Sequence, residues 1–269
     1  MQVWQAAVLG VIQGLSEFLP ISSTGHLIIG ERLMGLEGTG LLLEILLHVG
    51  TLVAVLIVFW RDIFEILRHP IKDKRLILLI VATIPAVAVT LLLDDKLDEI
   101  FNISWFLGFS FLVTAAFLLI GEAIASRKRK VTETIGYKHA TAMGIMQAIA
   151  ILPGVSRSGS TITGGISTGL TRESAARFSF LMSAVAIVGS LVFKLKDLLK
   201  AGGTVFETGW AAPLVGVAAA LVTGYLAIRF MLKLLRTRSL KPFAVYVTII
   251  GVLVLIDQLF VGKFFPTLF

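Results

Sequence analysis

The amino-acid sequence predicts an all-α integral membrane protein in which six transmembrane helices and two re-entrant helical hairpins form an inverted repeat. Three observations carry that prediction. The 269 residues are 57% hydrophobic and 15% charged, with a mean hydropathy of +0.93, which is more apolar surface than a soluble core of this size can bury. Six apolar stretches are long enough to cross a bilayer. Two further stretches are broken by Pro and turn rich in Gly, Ser and Thr, and they echo each other.

Taken in order, the chain opens on the first broken stretch, 3–36, followed by spans near 40–60, 76–93 and 104–125. The second broken stretch, 139–170, is followed by spans near 174–193, 211–234 and 243–262. Each broken stretch pairs an apolar half-helix with a second piece such as 23–34. A dozen residues make about 18 Å of helix against a hydrocarbon core of about 30 Å, so each is expected to enter and leave on one side.

Loop charges set the orientation. The 61–75 stretch (Arg61, Arg68, Lys72, Lys74, Arg75), the 126–138 stretch (Arg127, Lys128, Arg129, Lys130, Lys138) and the 233–241 turn (Lys233, Arg236, Arg238, Lys241) are basic and read as cytoplasmic. The 94–103 loop, with Asp94, Asp95, Asp98 and Glu99 against Lys96, reads as exterior, and the mixed 194–210 loop follows it by alternation. Both termini then lie outside.

The repeat is legible residue by residue. Gly-Val-Ile-Gln at 10–13 matches Gly-Ile-Met-Gln at 144–147, and Pro20, Ser22, Ser23 and Gly25 have counterparts in Pro153, Ser156, Ser158 and Gly159. A single membrane domain, 1–269, is expected, with halves 1–125 and 139–262 joined by the basic loop 126–138. Three spans per half is an odd number, so the halves must be inverted. Broken helices meeting near the midplane are the mark of many transporter folds.

Composition also excludes. The chain has no Cys, so neither disulfides nor thiolate chemistry are available. The net charge of +7 collects between apolar runs, where it suits anionic lipid headgroups and not nucleic acid. No charged n-region, short apolar core and small-residue cleavage site open the sequence, so the first apolar stretch is expected to belong to the mature protein.

The chemistry lies in the two breaks. Gln13 and Glu17 are four apart on one helix face, and that helix should stop ahead of Pro20. Ser22 or Ser23 is a natural N-cap for the next piece, whose free N–H groups attract anions. Ser23 and His26, three apart, are close enough for hydroxyl and imidazole to meet. An ionisable Glu and a His inside apolar sequence are costly and mark function. In the second break, Pro153-Gly154-Val155-Ser156-Arg157-Ser158-Gly159-Ser160-Thr161 sets an Arg among hydroxyls and glycines at a helix start, which suits a phosphate. Glu44 and His48, also four apart, are weaker candidates that could pair with each other, while Glu122, Arg229 and Asp257 are explained by placement at span ends.

At these residues the sequence resembles the undecaprenyl-diphosphate phosphatase family of the bacitracin-resistance type. The Glu/Gln-x-x-x-Glu element is present as Gln13 and Glu17, the Pro-x-Ser-Ser-x-Gly-His element as Pro20 to His26, and the Pro-Gly-x-Ser-Arg-Ser element as Pro153 to Ser158 with Thr161 beyond. The resemblance implies hydrolysis of undecaprenyl diphosphate to the monophosphate carrier of cell-wall synthesis, in a bacterial cytoplasmic (inner) membrane, with a divalent cation, Mg²⁺ or Ca²⁺, assisting. It points to Ser23 as nucleophile, Glu17 and His26 as its activating and proton-transferring partners, and Arg157 as the diphosphate clamp. Gln13, Ser22, Thr24, Gly25, Gly154, Ser156, Ser158 and Thr161 are then expected to bind phosphate. Glu17 is a metal-ligand candidate; the family's first acidic position is Gln13 here, so both metal holding and substrate orientation stay open for it. The expected partners are a polyprenyl diphosphate and membrane lipid, with a homodimer allowed and no nucleic acid. The main alternative is a polyprenyl-phosphate transporter or flippase. A type 2 phosphatidic acid phosphatase would need a second His downstream of its Arg, and no His follows Arg157.

Overall fold

The computed structural model describes residues 1–36, 40–102, 106–127, 131–200 and 209–265, with the backbone alone for 93–102 and 193–200. It is all-helical: α1 Val3–Phe18, α2 Ser23–Leu33, α3 Leu41–Val58, α4 Trp60–Arg68, α5 Lys74–Asn102, α6 Phe106–Arg127, α7 Tyr137–Ile149, α8 Arg157–Thr168, α9 Arg172–Lys200, α10 Ala211–Leu235 and α11 Lys241–Ile256. Six of these are long and apolar enough to span a membrane: Leu41–Val58, Lys74–Leu92, Phe106–Arg127, Arg172–Val192, Ala211–Leu235 and Lys241–Val261. They are the six spans expected, within a few residues at each end.

Both broken stretches double back. α1 ends where Leu19, ahead of Pro20, turns extended (φ −71°, ψ 144°), and Ser22 takes a left-handed φ of 74° that re-aims the chain. α2 then runs back along α1, bringing Gly30 against Ile12 and Leu9. In the second stretch Gly154, at φ 83°, makes the turn after Pro153, and α8 returns along α7 with Gly164 against Met143 and Met146. The breaks are short, so each second helix has no option but to pack on its first.

Equivalent residues do equivalent work. A Cβ on Gly10 of α1 would come within 2.2 Å of the Gly216 carbonyl of α10, and one on its sequence counterpart Gly144 of α7 within 2.5 Å of the Ala82 carbonyl of α5. So α1 packs on α10 as α7 packs on α5, while α6 pairs with α11 and α3 with α9. Phe18 sits edge-on to Phe180, ring centroids 5.6 Å apart, and with Phe59 and Phe111 forms the aromatic part of the core beneath the breaks.

Three features differ from the sequence expectation. The basic 61–75 stretch contains a helix, α4, which carries Trp60, Phe64 and Leu67 exposed. The acidic 94–103 stretch is the helical continuation of α5 to Asn102, and α9 likewise continues to Lys200. The side chains of 94–102 and 194–200 lie outside the described residues, as do Lys128, Arg129, Lys130 and all of 201–208. Glu122 is not interfacial. It is 3% exposed, pairs with Arg172 of α9 (2.9 and 2.6 Å) and accepts the Leu240 N–H (2.9 Å), tying α6, α9 and the α10–α11 turn together. Arg229 stacks on Tyr225, and Asp257 accepts the Phe264 and Phe265 N–H groups; both are structural.

Candidate active site

Two helix N-termini, one from each hairpin, meet at a cavity of about 190 Å³. Ser22, Ser23 and Thr24 at the start of α2 form one side, and Ser156 and Arg157 at the start of α8 another. The caps are equivalent: Ser22 Oγ accepts the Gly25 N–H (3.3 Å) and Ser156 Oγ accepts the Gly159 N–H (3.1 Å). Two helix N-termini and their dipoles therefore face the same space, which suits it to an anion before any side chain is counted.

The tips are held together. Ser158 Oγ donates to the Leu19 carbonyl across the two breaks (3.0 Å), and the Ser156 N–H donates to Thr114 Oγ1 of α6 (3.0 Å). Thr161 bonds Ser179 of α9 (2.6 Å), one turn below Arg157, and a Cβ on Gly154 would press on Ser110 at 2.7 Å. Gly25 packs against the Phe111 ring. Of the residues expected to bind phosphate, Ser22, Thr24 and Ser156 line the cavity, whereas Gly25, Gly154, Ser158 and Thr161 shape the backbone around it.

Glu17, at the end of α1, is the hub. Its Oε1 accepts from Arg157 Nη2, and its Oε2 accepts from Ser23 Oγ (2.6 Å) and from Gln13 Nε2 (3.2 Å). Arg157 Nη1 also donates to the Ser183 carbonyl of α9 (3.2 Å). Glu17 is 7% exposed, so this ion pair works in a low-dielectric setting open to the cavity on one side. A serine hydroxyl held on a carboxylate, beside a fixed guanidinium, is arranged for deprotonation next to a bound anion.

His26 is not brought to Ser23. Its Nδ1 donates to the Ser22 carbonyl (2.8 Å) and its Nε2 accepts from the Tyr246 hydroxyl of α11 (2.9 Å), with the ring stacked on Tyr246 and edge-on to Phe111. The imidazole in the cavity is His48 of α3. Its Nδ1 bonds the Glu44 carbonyl (2.8 Å), so the proton sits there and Nε2 faces the site, 4.0 Å from Glu17 Oε2. A polar imidazole midway along an apolar span was the signal available for it. The backbone carbonyl of Ser183, by contrast, had none.

The donors for a cation are few. Among the described residues Glu17 is the one carboxylate that lines the cavity, and no three His, Asp or Glu side chains gather into a metal site. Beside it, Gln13 Oε1 is buried without a partner. The three oxygens of these two side chains fall short of the six or more that Mg²⁺ or Ca²⁺ takes, so substrate and water would have to complete the shell.

The chain matches the family described as Bacitracin resistance protein BacA over residues 6–253. It is 42% identical over 254 residues to undecaprenyl-diphosphatase 4 of Bacillus thuringiensis subsp. konkukian, covering 94% of this chain and 96% of the relative. It is 38% identical over 258 residues to the undecaprenyl-diphosphatase of Halothermothrix orenii (95% and 98%), and 40% identical over 265 residues to that of Carboxydothermus hydrogenoformans (98% and 100%).

Proposed function

The chain belongs to the bacitracin resistance protein BacA family, and we propose that its two converging hairpin tips are the active site of an undecaprenyl-diphosphate phosphatase. The enzyme hydrolyses undecaprenyl diphosphate to undecaprenyl phosphate and inorganic phosphate, returning the lipid carrier to cell-wall synthesis. One observation carries the site assignment: Ser23 from one hairpin and Arg157 from the other are held on the same carboxylate, Glu17, at the meeting of two helix N-termini. A carrier needs the anion site; it has no use for a hydroxyl bonded to a base.

The diphosphate enters between the two N-termini and takes Arg157 as its counter-ion, which releases Glu17 from its ion pair. Ser23 Oγ bonds to the terminal phosphorus as its proton passes to Glu17, and the bond from that phosphorus to the bridging oxygen breaks, leaving the lipid monophosphate. Water then attacks the phosphoserine; Glu17 returns its proton to Ser23 Oγ, and the water's protons leave on the released phosphate. Charge neutralisation and in-line placement do most of the work, as phosphoryl transfer requires. Glu17 and Gln13 would be the residues that hold a divalent cation, which would supply charge to offset the phosphates. His48 Nε2, 4.0 Å from Glu17 Oε2, is a second polar neighbour of that carboxylate. His26 acts at one remove, fixing the Ser22 carbonyl and so the turn that presents Ser23.

The protein is a multi-pass membrane protein, proposed to lie in the bacterial cytoplasmic membrane as an inverted repeat of 1–125 and 139–262. The reciprocal packing of Gly10 on α10 and Gly144 on α5 supports that repeat. The hairpins are proposed to be re-entrant and the cavity to face the exterior. The charge pattern supports this: the ion pairs Arg75–Asp62, Arg177–Asp62, Arg172–Glu122 and Arg236–Glu173 gather around the start of α9, away from the cavity, where the basic 61–75 and 233–241 stretches also lie. The test is phosphate release from undecaprenyl diphosphate by purified protein in detergent. Release supports the enzyme; lipid transfer across vesicles without release would replace it with the flippase reading.

A further inference from the structure

The cavity has one side that the phosphate chemistry does not use. α7 and α8, of 13 and 12 residues, reach only about 20 Å and 18 Å, whereas α9, of 29 residues, runs for about 43 Å. The tip of the second hairpin stands level with Ser183, whose carbonyl takes Arg157. α9 continues for about another 25 Å beyond that point with neither α7 nor α8 beside it. α9 packs on α3, α5, α8 and α10 and scarcely on α7.

On this uncovered stretch the cavity wall changes character. Ala186, Ile187 and Ser190 of α9 line it opposite Ala150 at the end of α7, where the remaining walls carry Ser23, Glu17 and Arg157. Ala186, Gly189 and Ser190 share one helix face. A Cβ on Gly189 would meet nothing within 4 Å, and Val188 and Val192 beside it are 48% and 65% exposed, as on a lipid-facing surface. The side of the head-group cavity bordered by Ala150 and by this small-residue face of α9 therefore adjoins exposed apolar surface, where neither helix of the second hairpin reaches.

We propose that the gap between Ala150 and the Ala186–Gly189–Ser190 face of α9 is the path by which the polyprenyl chain leaves the head-group cavity, so that Gly189 determines whether long-chain diphosphates are accepted. The inference rests on the diphosphatase reading. An isoprenoid chain is thick with methyl branches and must remain in lipid while its diphosphate sits between the helix N-termini; small residues leave it room, and a bulky one closes the route.

The test compares Gly189→Trp with the parent on two probes, undecaprenyl diphosphate and the water-soluble isopentenyl diphosphate. The kcat/KM ratio of long over short chain should fall at least tenfold. Ile249→Trp, at an exposed position of α11, should leave the ratio within twofold of the parent, as should Gly189→Ala. An unchanged ratio in Gly189→Trp overturns the proposal, and so does a parallel fall with both probes, which would mean damage to the head-group cavity or the fold. Failure of the parent to release phosphate from either probe would instead defeat the diphosphatase reading.

Discussion

Replacing Glu17 with Gln keeps the shape of the side chain and removes the charge on which three partners converge. In the parent, one carboxylate takes Arg157 on one oxygen and both Ser23 Oγ (2.6 Å) and Gln13 Nε2 (3.2 Å) on the other. The amide can still accept one of these bonds, but it cannot take the Ser23 proton. Loss of a positioned general base costs roughly 10²–10⁴ in rate, or about 3–5 kcal/mol of transition-state stabilisation at 1.36 kcal/mol per decade. The effect on binding has the opposite sign. Arg157, 20% exposed and bordering the cavity, loses its competitor and becomes a better ligand for the diphosphate. The expected signature is therefore a kcat lower by roughly 10²–10⁴ with KM unchanged or reduced, the pattern of an interaction made in the transition state. Steady-state phosphate release over a range of substrate concentrations separates the two constants. A kcat within tenfold of the parent, or a raised KM at preserved kcat, would refute the assignment of Glu17 as the base.

Other consequences are as direct. Glu122→Gln weakens a pair with the partly exposed Arg172 that also holds the Leu240 N–H; losing hydrogen bonds to a charged group costs about 1.5–3 kcal/mol, so the thermal midpoint in detergent should drop by several degrees while the remaining folded protein keeps its turnover. A turnover loss at unchanged midpoint would move Glu122 into the chemistry. Gly14→Val places carbon where the Thr223 hydroxyl and Ala220 carbonyl already lie, 2.0 and 2.5 Å from a Cβ, and should prevent α1 from seating on α10, seen as loss of monodisperse protein. His26→Gln, which can still donate to the Ser22 carbonyl, should retain at least tenfold more activity than His26→Ala; equal loss in both would show that the imidazole itself takes part in proton transfer. In intact cells a membrane-impermeant thiol reagent should modify Asp98→Cys and spare Arg68→Cys, and the reverse pattern would invert the topology.

How much of this was legible in the sequence depended on whether the signal was local. Apolar length set the six spans, and Pro20 and Pro153 marked both breaks, because Pro disfavours a helical residue ahead of it and here Gly, Ser and Thr follow, whereas Pro85, in an unbroken apolar run, sits inside α5. The pairing of Gly10 with Gly144 was readable as a repeat, and packing gave it a meaning: each lets a short helix approach a long one. The residue set Glu17, Ser23 and Arg157 was legible by type, since charge inside apolar sequence is rarely idle. Direction was not. Ser23 and His26 are neighbours along the chain, yet the left-handed turn at Ser22 sends the hydroxyl toward α1 and the ring toward α11. His48 carried only a weak signal because its partner, Glu17, is 31 residues away and on another helix. Glu122 looked interfacial because its two partners, Arg172 and Leu240, lie on α9 and the α10–α11 turn, contacts that no local spacing encodes. α4 was hidden by its own charges, being read as a loop for the Arg residues that flank its apolar face.

Assembly of one phosphate-cleaving site from the tips of both hairpins is tested most directly by single-turnover phosphate release from undecaprenyl diphosphate by purified Ser23→Ala and Arg157→Ala proteins beside the parent. Each substitution touches only one hairpin, and each alone is expected to lower the rate at least a hundredfold in protein that remains folded. Release by either variant at a rate within a few-fold of the parent would contradict it.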